Sequence, residues 1–258
     1  MCGAFRFTGF QAAMCVDKAG RASLSESVES SCRPFYRTVL FDLDGTLVDQ
    51  FRVIYEAYAH TMQEMGLPPV TYEQVRGAVG GSITVTFGKL VPAQHVDEAV
   101  ARFREEFRRI WDRQVDVLPG VPELLSSLHQ RGHQLAVLTN KDGDLARQVV
   151  EKAGLSPFFS RVFGTLDTPW RKPDVEFTRH ALSELGAQPA ETCLIGDSPY
   201  DVATAVNAGL DCFAVATGSH STGELREACP GIPVHPNMSA LARSVFGLDG
   251  AECLAGHA

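Results

Sequence analysis

Apolar and polar positions along the chain change rhythm near residue 37 and again near residue 116, and these changes mark out its organisation. Thr38-Val39-Leu40-Phe41 is a continuous β-branched and aromatic run, which predicts a buried strand. Residues 50 to 115 instead repeat at helical spacing. Tyr55, Tyr58, Met62 and Met65 make one stripe, and Val96, Val100, Phe103, Phe107, Ile110 and Trp111 make another. With no strand pattern between them, this stretch reads as a helical insert whose stripes are packing surface.

From residue 117 helix and strand patterns alternate. Val121 to Gln130, Gly143 to Ala153, Pro173 to Leu185 and Val202 to Ala208 read as helices; Gln134 to Leu138, Arg161 to Phe163, Thr192 to Ile195 and Cys212 to Val215 read as strands. Such alternation implies right-handed βαβ units around a parallel sheet. Gly132, Gly154, Gly186 and Gly209 stand where helices want left-handed C-terminal caps. The predicted fold class is α/β: a parallel, Rossmann-like sheet flanked by helices, built from residues 37–49 and 116–246, with a small helical domain of residues 50–115 inserted after the first strand. Residues 1–36, rich in Ser, Gly and Ala, read as a poorly ordered extension, and residues 247–258 as a loose tail.

Polar residues gather where the strands end. Asp42 and Asp44 follow the first strand directly, before Gly45 breaks it. Side chains of an extended segment repeat every second residue, so both carboxylates leave on one side while Leu43 turns to the core. A turn with a helix cap would also use Asp, Gly and Thr, but carboxylates set directly against a buried run are costly without partners. The next strands end in Thr139-Asn140-Lys141 and in Gly196-Asp197-Ser198-Pro199-Tyr200-Asp201, and Arg171-Lys172-Pro173-Asp174 lies in a loop between them, with Pro173 suited to a first helical position. Open α/β sheets bind ligands outside the carboxyl ends of their strands; these loops converge there.

Composition narrows the partners. The 258 residues carry a formal net charge of −8, and the densest basic stretch, residues 102 to 109, is interleaved with acids, which argues against a nucleic-acid surface. No window approaches the 18 or so apolar residues of a membrane span. Seven scattered cysteines, with no Cys-x-x-Cys pair and no zinc spacing, read as reduced thiols in a cytoplasmic compartment. Residues 1–36 lack the apolar stretch of a secretory signal; their Ser content suits a transit peptide, but Asp17, Glu26 and Glu29 count against one.

Asp-x-Asp-Gly-Thr at 42 to 46, Thr139, Lys172 and Gly-Asp-x-x-x-Asp at 196 to 201 occur in an order that resembles the haloacid dehalogenase superfamily of phosphotransferases, over residues 37 to about 220. The resemblance implies that the insert is a cap over the site. It implies Asp42 as nucleophile, Asp44 as general acid and base, and Mg2+ held by Asp42, the main-chain carbonyl of Asp44 and Asp197. Thr139, Asn140 and Lys172 would hold the phosphate, and Asp201 would support the metal shell or orient Lys172. Lys141 competes with Lys172 for the cationic role and ranks second. Because halide departure needs no proton, Asp44 points to a phosphoester. The wording is similar to phosphoglycolate phosphatases, so the expected activity is hydrolysis of a small phosphorylated metabolite by a monomer or homodimer, 2-phosphoglycolate first. Pyrophosphate, a nucleoside monophosphate, a sugar phosphate, mutase activity and a non-catalytic phosphate-binding regulator remain alternatives. Arg76, Gly80, Gly81, Ser82 and Lys89 are the insert residues expected to face the leaving group. Gln50-Phe51 departs from the small polar residue usual in relatives.

Overall fold

In the computed structural model, which describes residues 36–248, the strand Thr38–Phe41 (β1) lies at the centre of a six-stranded parallel sheet. Its neighbours are Gln134–Asp142 (β4) on one side and Thr192–Gly196 (β6) on the other. Arg161–Thr165 (β5) lies beyond β4; Asp211–Val215 (β7) and the two-residue Val234–His235 (β8) lie beyond β6. The order β5-β4-β1-β6-β7-β8 reverses direction at β1, which opens a crevice at the carboxyl ends of β1, β4 and β6.

Period-2 alternation explains why the middles of these strands are apolar on both faces. Val39 and Phe41, Leu135 and Val137, and Cys193 and Ile195 pack into one cluster, with the helices Val121–Gln130 (α5), Gly143–Lys152 (α6) and Met238–Phe246 (α10). Leu40, Ala136, Leu138 and Leu194 pack on the opposite face, under Val175–Leu185 (α7) and Pro199–Ala208 (α8). Helices cover both faces, so most positions of the five longer strands are buried, the usual condition of a parallel sheet, while Arg161 and Asp211 at the strand starts stay exposed.

The insert builds a cluster of its own from Phe51–Glu64 (α1), Tyr72–Ala78 (α2), Ile83–Leu90 (α3) and Val96–Ile110 (α4). Tyr58 packs against Phe87 and Phe103, at centroid distances of 4.7 and 4.4 Å, and Leu145 of α6 joins the same cluster. A capping box at Thr71 starts α2. The chain enters and leaves the insert through two short strands, Val48–Asp49 (β2) and Asp116–Val117 (β3), which pair antiparallel. Gln50 explains its departure from a small residue here: its Nε2 donates to the carbonyls of Trp111 and Gln114, at 2.8 and 2.9 Å, tying the two linkers together.

Several boundaries differ from the sequence reading. The strand expected to stop at Leu138 runs on to Asp142, because after a shift of register beyond Leu138 the pairing with β5 resumes at Asp142, opposite Thr165. Helix α7 begins at Val175, so Pro173 precedes it instead of opening it. The hinge pair, β8, the helix Thr222–Ala228 (α9) and α10 went unread. The four capping glycines all adopt positive φ, between 62° and 80°. At the ends, Leu248 is 3% exposed and belongs to the sheet core, although it falls in the expected tail. Tyr36, assigned to the extension, is buried against Phe213 and Phe246 and donates its hydroxyl to Asp211 at 2.8 Å. The rest of that extension, residues 1–35, and the tail from 249 lie outside the described residues.

Tyr36→Ala is expected to cost about 3–5 kcal/mol, the range for deleting a buried ring, read as a lowered urea midpoint. A loss under about 1 kcal/mol, the scale of a surface change, would place the domain boundary after it.

Candidate active site

Asp42 sits at the carboxyl end of β1, where its N–H donates to the carbonyl of Ile195 at 2.9 Å and locks the strand end to β6. Its carboxylate accepts the Lys172 ammonium at 2.7 Å. Asp44, two residues on, is about a quarter exposed at its side chain and accepts the Lys141 ammonium at 2.8 and 3.0 Å. Leu43 between them is fully buried in the sheet core. Gly45 closes the turn at φ 85°; a Cβ there would lie 2.8 Å from both an Asp197 carboxylate oxygen and Gly218. A side chain would therefore be strained by backbone and by contact alike.

Lys172 is almost fully enclosed. Its Nζ also donates to Asp201 at 2.6 Å. Two further groups hold that geometry. Asn140 clamps the Lys172 main chain, accepting from its N–H at 2.8 Å and donating to its carbonyl at 3.1 Å. The second oxygen of Asp201 accepts from the Ser198 N–H and hydroxyl, at 3.0 and 2.6 Å, as half of the capping box that starts α8. The expected phosphate ligand Asn140 therefore has its side chain engaged in supporting Lys172. Thr139, buried, accepts the Lys141 N–H at its hydroxyl, leaving the hydroxyl proton able to donate.

Asp197 at the end of β6 is held by the loop after β7, its Oδ2 accepting from the Ser219 N–H at 2.9 Å and the Ser219 hydroxyl at 3.2 Å. Carboxylate oxygens of Asp42, Asp197 and Asp201 lie within 4.8 Å of one another. Three buried carboxylates against one buried ammonium leave an excess of negative charge, a donor set that suits a hard divalent cation. With both Asp201 oxygens already bonded, Asp42 and Asp197 are the carboxylates placed to hold one. Burial, assisted by the Asp201 charge and opposed by Lys172, pushes the Asp42 carboxyl up to about 6. Burial and the charges of Asp201 and Asp42 push Asp197 up to about 8. Lys172 is raised despite its burial, because Asp201 and Asp42 face it.

Asp42, Asp44, Thr139, Lys141, Lys172 and Asp197 form the floor of a cavity of about 180 Å³ whose opposite wall comes from the insert. Of the insert residues expected there, Arg76, Gly80 and Gly81 line it. Ser82 and Lys89 are engaged elsewhere. Ser82 caps α3 through the Val85 N–H, and Lys89 donates to the Ala78 carbonyl at 3.1 Å and lies over the Tyr200 ring. Sequence reading missed Thr217, Gly218 and Ser219, which line the floor and steady Gly45 and Asp197. Their signal was present, since this small polar cluster follows the strand ending at Val215. It also ranked Lys141 as a rival of Lys172; the structure pairs Lys141 with Asp44 and Lys172 with Asp42 and Asp201.

Both raised carboxyls sit above the ordinary aspartate value of about 3.9, so without metal the folded state retains more protons than the unfolded chain. Their contribution to metal-free stability is complete below about pH 4 and is lost as pH rises through 6 and then 8. A cation must displace those protons. Excess Mg2+ should therefore raise Tm more at pH 8 than at pH 5, and Asp197→Asn should lose the response; an equal rise at both pH values would contradict the assignment.

A sequence profile described as Haloacid dehalogenase-like hydrolase matches residues 39–215. Three curated proteins are similar over most of their length. "Probable phosphatase IndB" of Dickeya dadantii is 33% identical over 202 residues, covering 76% of this chain and 88% of that protein. "Pyrophosphatase PpaX" of Halalkalibacterium halodurans is 31% identical over 193 residues, covering 75% and 89%, and "Phosphoglycolate phosphatase" of Agrobacterium fabrum is 32% identical over 193 residues, covering 72% and 83%. A solved structure described as a predicted phosphatase from Clostridium acetobutylicum superposes with a TM-score of 0.76 at 26% identity, covering 83% of this chain and 100% of that one. With its parallel sheet, the acidic pair at the end of β1 and a profile match across two thirds of its length, the chain belongs to the haloacid dehalogenase-like hydrolase family, as a phosphatase.

Proposed function

We propose that the protein is a magnesium-dependent phosphatase that hydrolyses a small phosphorylated metabolite through an aspartyl phosphate on Asp42. The observation that carries this reading is the division of labour between two carboxylates at one strand end: Asp42 buried against Lys172, Asp44 partly exposed at the same cavity. Asp42 attacks phosphorus, and the leaving oxygen takes a proton from Asp44 as its bond to phosphorus breaks. Asp44, now ionised, accepts a proton from water; that water attacks the same phosphorus, and the bond to Asp42 breaks to release inorganic phosphate.

Lys172 would supply fixed positive charge to the transferring group, and the Thr139 hydroxyl would donate to one of its oxygens. Asn140 and Asp201 act on Lys172 as positioning residues. Mg2+ on Asp42, Asp197 and the Asp44 main-chain carbonyl would offset the charge of the phosphoryl oxygens. We read the helical insert as a cap, since it forms the wall facing these residues. The sequence wording and the relative from Agrobacterium fabrum put 2-phosphoglycolate, and the relative from Halalkalibacterium halodurans puts pyrophosphate, among the substrates to be tested. The free thiols of Cys193, Cys212 and Cys229 accord with a reducing, cytoplasmic setting.

Magnesium-dependent phosphate release should be measured across 2-phosphoglycolate, pyrophosphate, nucleoside monophosphates and sugar phosphates. Asp42→Asn should lower kcat by at least about a thousandfold while the chain still folds cooperatively, since an amide of the same size is a poor nucleophile; residual activity above about a tenth would remove Asp42 from the nucleophile's role. Asp44→Asn should slow alkyl phosphates far more than p-nitrophenyl phosphate, whose leaving group needs no proton. Equal losses on both would contradict a general acid at this position.

A further inference from the structure

The two halves of the cavity differ in chemistry. The floor holds Asp42, Asp44, Lys141, Lys172 and Asp197, whereas the wall from α1, α2 and α4 presents Phe51, Ile54, Tyr58, Tyr72, Phe103 and Phe107. Tyr72 stands at 42% exposure, with edge contacts to Phe51 and Tyr55 at centroid distances of 5.0 and 5.4 Å. A half-exposed ring beside a cavity is apolar surface that a ligand can cover.

The cations around the cavity are already partnered. Lys172 lies between Asp42 and Asp201, and Lys141 is bonded to Asp44. Arg104 is 3.4 Å from Asp142, and Arg76 is 3.6 Å from Glu73 in a more exposed, looser pair. A leaving group with its own negative charge would face ring surfaces whose quadrupole is negative, with Arg76 and Arg104, each already facing a carboxylate, the insert cations that line the cavity. Desolvating an anion without a committed partner is costly.

From this wall we infer that, within the phosphatase reading on which the inference rests, the substrate's leaving group is an uncharged alcohol with an aromatic or aliphatic body, seated against Phe51 and Tyr72, and not a second anion. The 2-phosphoglycolate carboxylate and the departing phosphate of pyrophosphate both fail that description. Phe51, which opens α1 and lines the cavity, is then a specificity-determining residue together with Tyr72, while Gln50 beside it ties the two linkers.

The test is kcat/KM of the magnesium-loaded full chain on methyl, ethyl, propyl, butyl and benzyl phosphates, against 2-phosphoglycolate and pyrophosphate, with p-nitrophenyl phosphate as the activated ester and Asp42→Asn as the blank. The alcohols differ little in acidity, so the series isolates contact with the wall. Efficiency should rise about two- to fourfold per methylene, up to the Boltzmann factor for burying one, and benzyl phosphate should exceed both anionic-leaving-group substrates at least about tenfold. Tyr72→Ala should shrink the benzyl-to-ethyl ratio by about tenfold. A flat series, a lead for 2-phosphoglycolate or pyrophosphate, or a larger loss on the best substrate from Arg76→Ala than from Tyr72→Ala would overturn the inference while p-nitrophenyl phosphate turnover keeps the phosphatase reading. No release from any ester above the blank would overturn both.

Discussion

One buried ammonium between two buried carboxylates sets the conditions for the rest of this site. The Lys172 Nζ lies 2.7 Å from Asp42 and 2.6 Å from Asp201, and all three groups are almost closed to solvent. Such an arrangement is no source of net stability, because stripping water from each charge offsets the attraction between them. Its value is positional. Asn140 fixes the lysine's main chain, the Ser198 capping box fixes Asp201, and the Asp42 N–H is pinned to β6. The ammonium and its two acids therefore have little freedom to reorganise when charge moves, which is the condition under which fixed dipoles and charges stabilise a transition state well.

The excess of negative charge that remains is equally informative. Asp197 completes an acidic group that burial pushes toward the protonated state, and the loop carrying Gly218 and Ser219 leaves its Oδ2 bonded. A structural ion pair would be balanced; this cluster falls one divalent cation short. That deficit accords with the metal implied by the family and gives it a physical reason.

The insert is coupled to this charged floor through contacts that reach across from the sheet. Lys141 holds Asp44 while its ammonium lies 4.7 Å from the Phe107 ring centroid of α4. Asp142, at the end of β4, faces Arg104 and Arg108 of the same helix at 3.4 and 3.8 Å, and Leu145 of α6 packs into the insert's own cluster. The lengthened β4 is what makes this possible, since its last residues carry two of the three contacts. Asp44, the group assigned to proton transfer, thus shares a lysine with the helix that walls the cavity.

Local chemistry made much of the fold and site readable from the residues alone. Apolar runs named five of the six strands of the sheet, helical stripes marked the insert, and carboxylates set against a buried strand pointed to a candidate site. Boundaries were less legible wherever pairing decided them: Val48–Asp49 and Asp116–Val117 are too short to show a period, yet they pair antiparallel where the chain enters and leaves the insert. Tyr36 and Leu248 read as tail residues and are buried because strands and helices distant in sequence cover them. What the residue order determined is the kind of fold and the acids, lysines and threonine available for the chemistry. Only tertiary structure decided which lysine meets which aspartate, that Asn140 supports Lys172, and which insert side chains form the wall. Those outcomes depend on directions and distances between segments remote in the chain, which no local pattern encodes.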